Sequence, residues 1–517
     1  MTGRGALFLT AAALTAAVGL FLQRERLIAG PLGLSGFPLD DSWIHFHLAR
    51  NVAEGHGLAY NPGVPVSSST APLWTLLLAG LFKAGGVYPA WAKAVGVAGA
   101  LGAAWLARRL ALAWTGDAAL GLTAALVTAW SAPMVWGALS GMEVTLAALL
   151  VTAALVAHVE GRAAISAALV GLAVLARPES ALLVPLLWLS GPLTARRSAV
   201  ALGLPAALLV PWVAFNLRTS GTPLPSTAAA KIEGGLLGLL EGTRESAAVT
   251  LLSRPWQFER EWIAWLASVN VLLPVLILPG LWVVWRRGGR AWALPASILL
   301  LHPLAMALLA PYRGPAFQEG RYSIQILPLA IVVAMSALLL PLSPLPVSPH
   351  DRGQGEGWFR RVAMALLLAA SLASLSPGAT RYAWAVQNID AMQVSLGRWV
   401  QAHTPPDSRL ALNDVGAIAY FGRREVVDVM GLVTPAIIPY RRAGEAGVLR
   451  FLERACPDYL IIFPAWFPVL SARADRFTPI HRVRLERNTV AGADEMVVYE
   501  TAWNRWRPAH EDCPGRD

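Results

Sequence analysis

The sequence is short of charge and shorter still of cysteine. Only 14% of its 517 residues are charged, and a mean hydropathy of +0.51 excludes an ordinary soluble domain. Two cysteines, Cys456 and Cys513, exclude a disulfide-rich scaffold, and no CxxC spacing is present to hold structural zinc. No internal repeat of useful period is visible. A net charge of +10 would suit nucleic acid if the basic residues formed a stripe with interleaved aromatics. They do not. Arg196 with Arg197, Arg286 with Arg287 and Arg290, and Arg360 with Arg361 sit at the ends of apolar runs, where membrane orientation signals belong.

What the chain has in quantity is apolar sequence, 56% of it. Runs near the roughly 20 residues that cross a bilayer core recur up to Pro377. They lie near 6–22, 70–86, 92–113, 118–138, 143–158, 163–176, 179–192, 198–215, 265–285, 291–311, 321–342 and 360–377. The first follows Arg4 and is read as a retained span, since QRERL behind it offers no signal-peptide cleavage site. Arg4 places the N-terminus inside. The basic clusters at 286–290 and 352–361 place the loops at 216–262 and 312–320, and the tail, outside. An inside start and an outside end require an odd number of crossings, so about 11 are expected, one of the dozen runs being merged or re-entrant. The suspects are 163–176 with 179–192, split by Arg177, Pro178 and Glu179, and the 118–158 region, split at SGME.

Beyond Ser376 the pattern changes. Tyr382 to Val400 reads as an amphipathic helix, and RLALN, AIAYF, EVVDV, YLIIF and EMVVY read as short strands separated by turns. The fold class is therefore an α-helical polytopic membrane protein over 1–377, with a first outer loop at 23–69 and another at 216–262, followed by an extracytoplasmic α/β domain over 378–517. Both cysteines fall in that domain, where an oxidising compartment lets them pair; two separate thiols are the alternative.

The candidate chemistry starts at FPLDDSWIHFH, residues 37–47. From Trp43 to Glu54, Ile44, Leu48 and Val52 form one helical stripe and His47, Arg50, Asn51 and Glu54 another. This predicts a helix lying in the membrane interface with Trp43 as its aromatic anchor. Asp41 or Ser42 could serve as N-cap. One helix has one N-cap residue, so the second carboxylate is left for a general base or a cation site. A divalent cation is left open, since no extended acidic cluster fixes one. Outside-facing cations are Arg177, Arg218, Lys231 and Arg321, with His45, His47 and Arg50 on the interfacial helix. For these the plain alternatives are headgroup contacts or structural pairs, Arg177 with Glu179 and Glu319 with Arg321. Glu143, in SGME at a helix start, either complements the helix dipole or belongs to the site. Most of the 21 Trp are assigned to interface belts.

LDDSWIHFHLARNVAEGHGLAYNPGVPVSSSTAPLW at 39–74, SGMEVTLAALL at 140–150, LARPESALLVP at 175–185, GTPLPSTAAAK at 221–231, EGRYSIQILPL at 319–329 and NDVGAIAYFGRREVVDVMGLVTP at 413–435 form an ordered set over most of the chain. Together they resemble bacterial membrane glycosyltransferases of the GT-C superfamily, nearest to the mycobacterial terminal arabinofuranosyltransferase type. Where members often carry tyrosine after the acidic pair, this chain has Ser42 and Trp43, and Ser67, Ser68 and Ser69 replace a frequent Gly-Tyr-Thr. The resemblance implies a polyprenyl-phosphate sugar donor, a glycan or lipid acceptor outside the bacterial cytoplasmic membrane, and inversion by single displacement. It further implies Asp40 as general base, with Asp41 orienting it, binding an ion or capping the helix. On physical grounds the departing phosphate needs cations, for which Arg321, Arg177, Lys231 and Arg218 are the candidates, and His45, His47, Arg50, Glu143 and Trp74 are candidate substrate contacts. A transporter or flippase of lipid-linked sugars would call for paired inverted repeats and mid-span charges. A polysaccharide polymerase or ligase would share the substrate and lack the early aspartate pair.

Overall fold

The computed structural model describes residues 3–231, 234–240, 246, 248–309, 313–340, 349–506, 508, 511 and 513. The chain divides into two compact units, Met1–Arg24 with Ala92–Pro211 and Ile232–Thr380, and Glu25–Trp91 with Trp212–Lys231 and Arg381–Asp517. Part of the predicted loop at 216–262, and the residues around 341–348, lie outside the described residues.

By length and composition, six described helices can cross a membrane: Gly3–Ile28, Ala90–Thr115, Ala195–Ser220, Leu273–Leu309, Phe317–Ala337 and Gly357–His403. Ala118–Ala129 with Ala132–Leu139, bent by 52°, would make a seventh, and Pro72–Gly85, Val144–Val159, Ala163–Ala176 and Pro178–Leu189 are shorter apolar helices. Helix is the form these runs take because it satisfies every backbone N–H and C=O within the segment.

The first unit is helical, and its core closes through small residues. A Cβ on Gly280 would stand 2.0 Å from the Val333 carbonyl oxygen, so glycine alone permits that backbone approach. The chain breaks at both places the sequence marks. One helix ends at Leu139 and the next begins at Val144, leaving SGME between them. Arg177 is extended (φ −149°, ψ 121°), the conformation a following proline imposes, and ends the Ala163–Ala176 helix before a 3-10 turn at Pro178–Leu182.

The second unit is built on a five-stranded sheet in the order β2-β1-β3-β5-β4. Its strands are β1 (Arg409–Leu412), β2 (Glu425–Asp428), β3 (Tyr459–Ile462), β4 (Phe477–Arg484) and β5 (Glu495–Thr501). β1 pairs in parallel with β2 and β3, while β5 runs antiparallel to β3 and β4. Alternation divides β1 between two cores. Leu410 and Leu412 pack with Met392, Leu396, Val400 and Ile418, and with Leu48, Tyr60 and Val66 from the early segment. Ala411 packs on the other face with Val427, Val448, Leu452, Leu460 and Phe477.

Two strand readings are corrected. AIAYF is the helix Ala417–Gly422, because five apolar residues carry no period that separates strand from helix. β4 was not foreseen: as an edge strand it is mostly exposed and shows no clean alternation. Cys456 and Cys513 are joined by a disulfide with Cα atoms 6.1 Å apart.

Candidate functional site

The helix Asp40–Ala53 begins two residues earlier than an N-cap role for Asp41 allows, and three earlier than one for Ser42. Leu39 holds the N-cap position in extended conformation, with no side-chain cap, and both aspartates lie in the first turn, where the helix dipole favours negative charge. The capping reading is thereby corrected. A carboxylate here does cap a helix, but a different one. Asp40 Oδ2 accepts from the Gly416 N–H at 2.8 Å and Oδ1 from the Ala417 N–H at 2.7 Å, at the start of Ala417–Gly422. These are N–H groups that a helix cannot satisfy internally, and an anion is their natural partner.

The loop that offers them follows β1 at the carboxyl end of the parallel strands, where ligands gather in α/β folds. A Cβ on Gly416 would lie 2.0 Å from the Asp40 carbonyl oxygen and 2.6 Å from Oδ2, so a side chain there is excluded. The Tyr60 hydroxyl donates to the Val415 carbonyl and pins the same loop.

Asp414, in this loop, was missed as a site residue. Its Oδ2 accepts from Gln393 Nε2 at 2.9 Å. Burial, then the charge of Asp40, holds its carboxyl well above the usual carboxylate range, with Asp41 and Asp428 adding to the shift. Burial pushes Asp40 up to about 6 against the pull of its two N–H donors, and the Asp41 charge raises it further. Three carboxyl groups thus share one place, within one unit. The signal that could have found Asp414 was its position in NDVG, two residues after the end of β1.

The rest of the helix departs from the interfacial reading. Trp43 is buried, with its ring centre 4.9 Å from that of Tyr420 and 4.8 Å from that of Phe421. His47, Arg50 and Asn51 are buried too. His47 Nε2 meets the Tyr60 carbonyl at 2.8 Å and its ring stacks on Tyr60, and burial followed by the Arg50 charge pushes it down to about 3, so the ring is neutral. Arg50 donates to the Tyr420 carbonyl at 2.9 Å and lies 4.5 Å over that ring. Asn51 donates to the carbonyls of Ala59 and Tyr60. His47, Arg50 and Asn51 face protein backbone, not headgroups, because those carbonyls need donors once buried, and Glu54 at the end of the stripe is exposed. As ligands for a sugar, His47 and Arg50 are engaged elsewhere, and Trp74, fully buried, has no open face to stack on one. His45 Nδ1 lies 3.3 Å from Thr75 Oγ1, which is 3.0 Å from Ser69 Oγ. The serine run is tied down: Ser67 donates to Asn216 at 2.6 Å, and Ser226 and Thr227 donate to the carbonyls of Ser67 and Ser68. Lys231 ends the helix Ser226–Lys231 and Arg218 is exposed on Ala195–Ser220.

In the first unit, Arg177, Glu143 and Arg321 come together, all buried. Arg177 donates to Glu143 at 2.6 Å and to Glu179 at 3.4 Å. The expected Arg177 partner, Glu179, is thus joined by Glu143, which lies closer. Arg321 donates to the Tyr322 hydroxyl at 3.0 Å, and the two guanidinium carbons each lie 5.0 Å from the centre of the Tyr322 ring. The backbone leading to Arg321 is left-handed at Gln318 (φ 49°) and Glu319 (φ 60°), at a cost of about 1–3 kcal/mol each. Trp265 holds this turn by donating to the Glu319 carbonyl.

Comparison with known proteins agrees on fold. A crystal structure of ArnT from Cupriavidus metallidurans in the apo state is similar over 94% of this chain and 98% of its own, with 14% identity and a TM-score of 0.56. A structure of the same protein bound to undecaprenyl phosphate covers 94% and 97%, with 13% identity and a TM-score of 0.57. The archaeal oligosaccharyltransferase AglB from Archaeoglobus fulgidus, in complex with an inhibitory peptide and a dolichol-phosphate, covers 94% and 74%, with 12% identity and a TM-score of 0.53. The chain shares their fold. These neighbours are GT-C glycosyltransferases, the superfamily that the motif set resembles. A family described as "Domain of unknown function (DUF8728)" matches residues 384–508, which take in the sheet and the NDVG loop. No curated protein matches the chain.

Proposed function

We propose that the protein is an inverting glycosyltransferase that moves a sugar from a polyprenyl-phosphate donor to a glycan or lipid acceptor on the outer side of the cytoplasmic membrane. The observation that carries this reading is the carboxylate of Asp40, oriented by two backbone N–H groups inside a three-carboxyl cluster. A carboxylate offers about four lone-pair sites, so two donors leave it able to take a proton from a hydroxyl. The fold supports the reading, since ArnT and AglB were each solved with a polyprenyl-type phosphate. An arabinofuranosyltransferase-like, cell-envelope role and eleven crossings are the finer parts of the proposal.

In the reaction, an acceptor hydroxyl attacks C1 of the sugar from the face opposite the lipid phosphate. The new C–O bond forms as the C1–phosphate bond breaks, the phosphate leaves with the bonding electrons, and Asp40 takes the hydroxyl proton. The leaving phosphate needs cations, a role we give to Arg321 first and to Arg177, Lys231 and Arg218 after it. Arg177 is largely compensated by Glu143 and Glu179, which leaves less of its charge for the phosphate. Incubating the purified protein with a panel of polyprenyl-phosphate sugars and membrane-extracted acceptors, while following lipid phosphate release, tests the proposal. One active donor giving an inverted product is expected. Folded protein that consumes none of them sinks it.

A further inference from the structure

Asp414 and Asp40 are bound differently, and the difference decides which of them carries charge. Asp40 receives two backbone N–H groups, at 2.8 and 2.7 Å, on its two oxygens, whereas Asp414 receives the side-chain amide of Gln393 at 2.9 Å. Hydrogen bonds from N–H groups favour the ionised carboxyl, and like charges disfavour each other. The two groups sit on opposite ends of one small construction: Asp40 clasps Gly416 and Ala417, and Asp414 is two residues before Gly416 in the same loop. Each therefore feels the other's charge.

We propose that Asp414 is a positioning residue for Asp40, a carboxyl brought by the loop after β1 that keeps its proton while Asp40 is ionised. This rests on the reading of Asp40 as general base. A charged Asp414 would hold Asp40 protonated and unable to accept from the hydroxyl. A neutral Asp414 leaves one negative charge where the N–H groups of Gly416 and Ala417 are aimed. The proton taken by Asp40 during transfer returns to solvent afterwards, and Asp414 has the same protonation before and after. The groups acting on Asp414 are Asp40 and Asp41 from the helix start and Asp428 from the end of β2, all acidic. Asp41 acts in the same sense on Asp40, and the Tyr60 hydroxyl, with Arg50 beside it, faces Asp40 and Asp428.

The test is the pH profile of kcat/KM for the full-length wild type, Asp414→Asn and Asp414→Ala with one active donor. The wild type should give a bell, its acid limb from Asp40 and its alkaline limb from ionisation of Asp414. Asp414→Asn preserves a neutral, hydrogen-bonding side chain: transfer should fall by about 3- to 10-fold and the alkaline limb should vanish. Asp414→Ala should lose roughly 100-fold, the Asn variant rescuing most of it. An alkaline limb unchanged in Asp414→Asn, or an Asn variant as inactive as the Ala variant in a folded protein, overturns the assignment. A wild type that transfers no sugar instead removes the reading of Asp40 on which it stands.

Discussion

Replacing Gly416 by alanine adds a single methyl group and should undo the clasp on Asp40. The added Cβ would stand 2.0 Å from the Asp40 carbonyl oxygen, 2.6 Å from Oδ2 and 2.7 Å from Cγ. Two of these atoms belong to the carboxyl group and one to the backbone of a packed helix, so rotation of a side chain cannot relieve all three. Separation of the loop from Asp40 is the remaining route, and it breaks hydrogen bonds at 2.8 and 2.7 Å. Hydrogen bonds to a charged group are each worth about 1.5–3 kcal/mol, so their joint loss costs about 3–6 kcal/mol as an upper bound. The same two donors hold down a carboxyl that burial has already raised to about 6. Without them its titration should move up by roughly one unit or more, one unit being about 1.4 kcal/mol.

The linkage follows from that sign. Because the folded value of about 6 exceeds the roughly 3.9 of a free carboxyl, the folded chain binds the extra proton between these limits. The contribution to stability is greatest below the free value and is lost as pH rises through the folded one. Gly416→Ala should widen this window upward. Melting of the detergent-solubilised protein across pH, together with the acid limb of kcat/KM, reads both effects. Gly19→Ala, whose Cβ would meet nothing within 4 Å, is the control. A Gly416→Ala protein with wild-type melting and a wild-type acid limb would refute the clasp.

Asp40→Asn should lower transfer by about 100-fold or more, and it should also weaken the clasp, since an amide oxygen accepts from one N–H while its NH2 opposes the other. Activity assays with melting curves separate the two effects, and near-normal turnover would dismiss Asp40 as base. Glu143→Gln strips the buried partner from Arg177 and should destabilise by about 3–5 kcal/mol, measured as a fall in melting temperature, with no change marking the pair as dispensable. Cys456 and Cys513 should resist alkylation until reductant is added, and their loop of 57 residues gives about 4 kcal/mol in the chain-entropy picture. Quantitative labelling of both thiols without reductant would reject the bond.

The membrane class, both chain breaks and four of the five strands were legible in the sequence, because long apolar runs, an Arg-Pro junction and short β-branched stretches report on local physics. The surroundings of Asp40 were not. Its partners lie 376 and 377 residues away, beyond any local pattern. The stripe of His47, Arg50 and Asn51 looked like an outer face because sequence does not show backbone carbonyls in need of donors. AIAYF was ambiguous for a related reason: the anion that caps it as a helix comes from another segment.

The distance between Asp40 and Gly416 also orders events in time. A chain grows at roughly 5–20 residues per second, so the 376 residues between them take about 20–75 s to appear. Throughout that interval Trp43, Phe46, Leu48 and Tyr60 exist without Tyr420, Phe421 and the strands that later bury them. The early segment therefore emerges as an apolar surface in waiting, exposed to chaperones, lipid and neighbouring chains. Its maturation is limited by synthesis of the final quarter of the protein, and a stalled or truncated product leaves that surface permanently uncovered.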